Sequence, residues 1–132
     1  MIKQVFDIDG YWKVVVYYNV DYNLYDYIAE DLRSITTPVE KMYDIKRSML
    51  TIAKAVTITS FRHRTSIVLF NKHKTIKDYI ESIVHESYHI TQALLEYYNI
   101  SNKGEPPAYT IGYIIRRMYD YFCTIIGTCN EN

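Results

Sequence analysis

The residues with the clearest chemical potential lie in the stretch SIVHESYHIT, where His85, Glu86 and His89 form the pattern H-E-x-x-H. Two histidines four residues apart lie on one face of a helix, one turn apart, and imidazole nitrogens are ligands that Zn²⁺ prefers. Glu86 follows His85 by about 100° around a helix. It is therefore poorly placed to bind the same ion, but it can reach a water on that ion. The stretch predicts a zinc site with Glu86 as the general base.

A catalytic zinc centre needs a third protein ligand and an open position for water. No histidine follows His89, so the downstream candidates are acidic. Glu96 lies two turns further on the same helix, too far along its axis to share the ion. Glu131 lies near the end of the chain, and an antiparallel return of the last helix is expected to carry Asp120 away. Glu105, at the start of that helix, is the predicted third ligand beside the two histidines.

Two interpretations of Glu105 remain open. Pro106 disfavours helical backbone for the residue before it, so Glu105 is expected at the N-cap of the last helix. A carboxylate there can accept hydrogen bonds from helix N–H groups instead of binding metal. Equally, the fixed turn could aim the carboxylate at the ion.

A donor that stabilises the oxyanion of the tetrahedral intermediate is also expected near such a site. Tyr109 lies one helical turn beyond Glu105 and Tyr113 one turn further, and we take Tyr109 as the first candidate. Because the chain contains 15 tyrosines, a plain core or surface role is an equally good interpretation for each. Arg116 and Arg117 are alternatives, although a charged pair late in a helix usually faces solvent.

The first half of the chain predicts one strand and two helices. GYWKVVVYYNVD is rich in aromatic and β-branched residues and includes Gly10 at its start, which predicts a strand over residues 11–20. Asp21 offers an N-cap for a helix whose apolar residues recur at helical spacing as far as Ile35. Pro38 opens a second helical pattern.

The second half of the chain predicts two strands and two helices. AKAVTITSF shifts toward alternating polarity and TSIVLF follows it after RHR, and the two predict a hairpin or neighbouring strands. Thr75 begins a capping-box-like start with Asp78, and the apolar stripe predicts a long helix over residues 76–98. The last helix is expected over residues 106–126. These elements predict one α+β domain over residues 1–132, in which about four helices pack on one face of a small three-stranded sheet in the order β-α-α-β-β-α-α.

Composition excludes several classes of function. The formal net charge is zero, so no nucleic-acid footprint is expected. The sequence contains no run of 18 apolar residues, so no membrane-spanning helix is expected. Asp7 and Asp9 fall where a signal peptide needs an apolar core. The expected location is the cytoplasm. Cys123 and Cys129 are then expected as free thiols, with a disulfide left open.

HESYH followed by GEPPAYTIGY resembles the small gluzincin-type zinc metallopeptidase domains of bacteria and their phages. The resemblance covers roughly residues 75–117, about a third of the chain. It implies a zincin-like fold, with His85, His89 and Glu105 as ligands and Glu86 as base. It also implies that Ala108 lets the last two helices approach closely, and that an edge strand beside the active helix holds an extended peptide substrate.

Three functions follow as hypotheses. The first is a zinc-dependent metallopeptidase acting on a protein or peptide. The second is a catalytically inactive zincin-like module that binds metal and serves regulation or interaction, encoded by a phage or mobile element. The third is a structural domain without metal. His63 and His73, each flanked by basic residues, are expected in solvated loops.

Overall fold

Four strands and four helices are formed within residues 1–126, the part of the chain that the computed structural model describes. The strands are β1 (Ile2–Ile8), β2 (Trp12–Tyr18), β3 (Ala55–Ser60) and β4 (Thr65–Phe70). The helices are α1 (Tyr25–Ser34), α2 (Val39–Thr51), α3 (Ile76–Tyr97) and α4 (Glu105–Ile126), and a 3-10 turn at Tyr22–Leu24 precedes α1. The predicted α+β class is confirmed.

The strands form one mixed sheet in the order β1-β2-β4-β3. β1 pairs with β2 and β3 pairs with β4 in antiparallel register, whereas β2 and β4 run parallel. The parallel pair needs a crossover connection, which α1 and α2 supply. β3 therefore lies at one edge of the sheet, and no other described strand pairs with its outer side.

The expectation of a three-stranded sheet was wrong, because β1 was missed. Its alternation is masked: polar Gln4 occupies a buried position, while apolar Val5 on the next residue is exposed. Asp9 and Gly10 both have positive φ, at 52° and 73°. Because Ile8 pairs with Trp12, three residues (Asp9, Gly10 and Tyr11) connect the strands, and the Tyr11 N–H donates a hydrogen bond to the Ile8 carbonyl oxygen at 3.0 Å. The observed order is therefore β-β-α-α-β-β-α-α.

Helices cover both faces of the sheet, not one face as expected. One core, between the sheet and the pair α3 and α4, includes Ile83, Ile90, Ile114 and Met118. A second core, between the sheet and the pair α1 and α2, includes Ile28, Leu32, Met42 and Ile45. Alternate residues of β2 belong to the two cores: Trp12, Val14, Val16 and Tyr18 to the first, Val15 and Tyr17 to the second. The continuous apolar run of β2 is typical of a strand buried on both sides.

The helix boundaries agree closely with the expectations. Thr75 caps α3, and its hydroxyl accepts a hydrogen bond from the Asp78 N–H at 3.1 Å. Asp21 caps the 3-10 turn that leads into α1. α4 begins at Glu105, which is the first helical residue and not the expected N-cap.

Two expectations concern features other than the fold. Within residues 1–126, no helix combines the length and apolarity needed to cross a bilayer. Cys123 lies in α4, whereas Cys129 lies outside the described residues.

Removing the N-cap of α3 should weaken the whole domain. We expect Thr75→Ala to lower the free energy of unfolding by about 1 kcal/mol, because the Asp78 N–H loses its acceptor. Urea unfolding should show a lower midpoint with an unchanged slope. Thr75→Ser keeps the hydroxyl and is the matched control. An equal loss of stability in both variants would contradict a capping role.

Candidate metal centre and its cavity

The H-E-x-x-H residues lie in the middle of α3, on the side that faces the edge strand β3. Glu86 is buried, with 4% of its surface exposed. The Thr57 hydroxyl of β3 donates a hydrogen bond to Glu86 Oε1 at 2.9 Å. A buried carboxylate without a partner would be costly, so this contact both satisfies Glu86 and fixes its direction.

The two histidines present their ring nitrogens to each other. The Nε2 atoms of His85 and His89 are 3.1 Å apart, and the side chain of His85 is 66% exposed. Two nitrogens bound to one tetrahedral Zn²⁺ at 2.0–2.1 Å would be about 3.3 Å apart. The observed contact is a hydrogen bond between the two rings, and its length is close to the spacing that one shared ion would require. Glu86 Oε2 lies 3.9 Å from Nε2 of His85, so the second carboxylate oxygen is next to that position.

A cavity of about 430 Å³ contains this group. α3 contributes His85, Glu86, His89, Gln92, Ala93 and Glu96 to its lining, and β3 with the following turn contributes Ala55, Val56, Thr57, Thr59 and Phe61. The cavity thus runs between a helix and the open edge of a sheet. An extended chain could lie along β3 here and pass the histidines.

Glu105 is not brought to the histidines. The Ser87 hydroxyl contacts the Met118 sulfur at 3.8 Å, which sets the level at which α4 passes α3. Glu105 lies thirteen residues before Met118, or about 20 Å along the helix axis at 1.5 Å per residue. It is exposed and does not line the cavity. Within residues 1–126, no cluster of three or more His, Cys, Asp or Glu side chains is arranged to hold a metal ion.

The length of α3 explains the distance. The helix continues for eight residues beyond His89 before the chain turns, so an antiparallel α4 starts level with the far end of α3. The same geometry brings Asp120 level with the histidines, contrary to the expectation that it would be carried away. Its side chain is 70% exposed and forms an ion pair with Arg116. Ala108 is exposed and does not form the helix contact implied by the resemblance.

The candidate oxyanion donors of α4 also lie elsewhere. Tyr109 is 73% exposed and lines a different cavity, with Pro106 and the C-terminal end of α3. Tyr113 donates a hydrogen bond to the Asp7 carbonyl oxygen at 3.1 Å and accepts one from Arg117 at 2.8 Å. Tyr113 therefore connects α4 to β1.

The other two histidines have structural partners. His63 Nδ1 lies 2.9 Å from the Ser60 hydroxyl within the β3–β4 turn. His73 Nδ1 lies 2.7 Å from the Asn71 carbonyl oxygen, and its Nε2 lies 2.7 Å from the Ser82 hydroxyl of α3. Burial lowers the pKa of His73 below its usual value, so the expectation of a solvated loop fails there. Neither histidine lines the cavity of His85 and His89.

The cavity residues that the sequence did not indicate include Thr57 and Phe61, and Glu96 was considered only as a metal ligand. The alternation of β3 puts Thr57 and Thr59 on one face and leaves Ile58 in the second core. Two threonines on the inward face of an edge strand are a signal for a polar partner opposite. Glu96 is too far from the histidines along the axis of α3 to share their ion, but it still lines the same cavity.

Replacing Thr57 should reveal the link between β3 and Glu86. Thr57→Val keeps the shape and the strand propensity but removes the donor to a buried carboxylate, so we expect a loss of about 1.5–3 kcal/mol of unfolding free energy. Urea unfolding measures it. In a double-mutant cycle with Glu86→Gln, the cost of Thr57→Val should fall, since an amide makes a weaker hydrogen bond. Additive losses would show that the two side chains do not interact.

The Nε2 atoms of His85 and His89 thus lie side by side, with the buried carboxylate of Glu86 next to them. No protein-family model matches this chain, and neither does any curated protein or solved structure. The functional inference therefore depends on the geometry of this site.

Proposed function

We propose that this chain is a zinc-dependent metallopeptidase that hydrolyses peptide bonds with Glu86 as general base. The observation that carries the proposal is the placement of Glu86 Oε2 3.9 Å from His85 Nε2, itself 3.1 Å from His89 Nε2. An ion held by the two histidines would therefore be adjacent to the base, in a cavity beside an edge strand of the sheet.

His85 and His89 would hold the metal through Nε2. Zinc held there would supply a coordinated water of lowered pKa and would polarise the substrate carbonyl. Glu86 takes one proton from the attacking water as the new carbon–oxygen bond forms. It returns that proton to the amine as the carbon–nitrogen bond breaks. The Thr57 hydroxyl keeps Oε1 occupied, which leaves Oε2 for this transfer.

The edge strand β3 would hold the substrate. Its outer side has no neighbouring strand among the described elements, so its backbone N–H and C=O groups can pair with an extended peptide. A peptide added there passes along the cavity in front of the histidines. This supports a substrate that is an unfolded or extended segment of a protein.

One observation favours the second candidate, a metal-binding module without peptidase activity. A catalytic zinc centre takes three protein ligands, and Glu105, the third ligand implied by the resemblance, lies about 20 Å along the helix axis from the level of Ser87. Both candidates require bound metal, but only the metallopeptidase cleaves peptides, so measurements of zinc content and of cleavage separate them.

Zinc binding should depend on the histidines and not on Glu105. Purified wild-type protein offered Zn²⁺ should take up one equivalent, measured by mass spectrometry of the native protein. His85→Ala and His89→Ala should each weaken binding by well over tenfold, because each removes one of two nitrogen ligands. Glu105→Ala should bind zinc as the wild type does. Loss of zinc in Glu105→Ala would contradict the geometry, and a wild type that takes up no zinc would refute the site.

Catalysis should depend on Glu86 while zinc binding does not. Glu86→Gln keeps a hydrogen-bond acceptor for Thr57 but cannot accept a proton, so we expect cleavage to slow by about 10²–10⁴-fold. Cleavage of a degenerate peptide pool, read by mass spectrometry of the products, measures it. Glu81→Gln, an exposed position of the same helix, is the control. Unchanged cleavage in Glu86→Gln would remove its role as base.

A further inference from the structure

The cavity continues past the metal position to a second group of side chains. β3 and α3 run side by side in the same direction, since Thr57 contacts Glu86 and Phe61 stacks on Tyr97 with ring centroids 6.3 Å apart. Phe61 therefore lies next to the C-terminal end of α3, where Glu96 also lines the cavity. An aromatic ring and a carboxylate close the same end of one groove.

The charge at this end has no partner among the described residues. Glu96 is exposed, and no described ion pair involves it. Arg62, directly after Phe61, makes no such pair either, and no lysine or arginine lines the cavity. Phe61 is 43% exposed although it lies in an aromatic cluster with Trp12 and Tyr97. A free carboxylate beside an accessible ring suits a cationic side chain, by ion pairing and by cation–π contact.

We propose that Glu96 and Phe61 form a subsite for a lysine or arginine side chain of the peptide substrate. The inference rests on the proposed peptidase function, because it takes the chain along β3 as the ligand. Glu96 lies seven residues beyond His89 on α3, or about 10 Å along the axis. An extended peptide advances about 3.3 Å per residue. The basic residue is therefore about three positions from the bond that is cut.

Cleavage of a degenerate peptide pool tests the position and the charge. The zinc-loaded wild type should favour Lys or Arg about three residues from the cut bond, by about three- to tenfold over Glu at that position. Glu96→Lys should reverse the preference toward acidic residues. Glu81→Lys makes the same change of charge on the same helix outside the cavity and should keep the wild-type preference. Phe61→Leu should reduce the preference without reversing it.

Two failures are distinguishable. If the wild type cleaves peptides but Glu96→Lys shows the same positional preference, the subsite is refuted and the peptidase function stands. If the wild type cleaves nothing, the peptidase function fails, and the subsite is judged by binding alone. Fluorescence anisotropy then compares a lysine-containing and a glutamate-containing peptide on the wild type and on Glu96→Lys. Equal affinities in all four combinations of peptide and protein overturn the subsite. A wild type that prefers the lysine peptide and a Glu96→Lys variant that prefers the glutamate peptide support it.

Discussion

The hydrogen bond between Thr57 and Glu86 is the contact on which the site depends. A carboxylate enclosed between a helix and a sheet must find a donor, because burying it alone costs far more than one hydrogen bond returns. That requirement fixes the rotation of α3 relative to β3. Once the rotation is set, His85 and His89 necessarily face the cavity beside the strand edge, and the stacked rings of Phe61 and Tyr97 maintain the alignment at the far end.

Burial on both faces of the sheet gives this contact a rigid base. β2 and β4 form the centre, and their side chains enter one core above the sheet and another below it. Such strands tolerate little movement, because interiors are close-packed. β3 joins them through full antiparallel pairing with β4, so it is an ordered template although its outer side is open.

The sequence predicted the parts whose signals are local. Thr75 and the apolar stripe gave α3, and H-E-x-x-H gave a side-by-side histidine pair with a carboxylate next to it. β1 was not predicted, because polar Gln4 is buried and apolar Val5 is exposed, the reverse of the usual pattern. The distance of Glu105 from the histidines follows from the length of α3, which the apolar stripe predicts, so this part of the geometry was predictable. The level at which α4 crosses α3, set by Ser87, Met118 and the core around them, was not. The role of Thr57 depends on a contact between residues 29 positions apart, beyond any local pattern.

α3 continues for eight residues beyond His89, and this length has a thermodynamic consequence. Because the start of α4 lies far away, the described part of the chain would offer an ion at the proposed site two nitrogen ligands and an open side. Any molecule that enters the cavity with a donor of its own would then complete the coordination. Metal and that molecule would each tighten the binding of the other by the same factor, as linkage requires. The apparent metal affinity would become a measure of what occupies the groove.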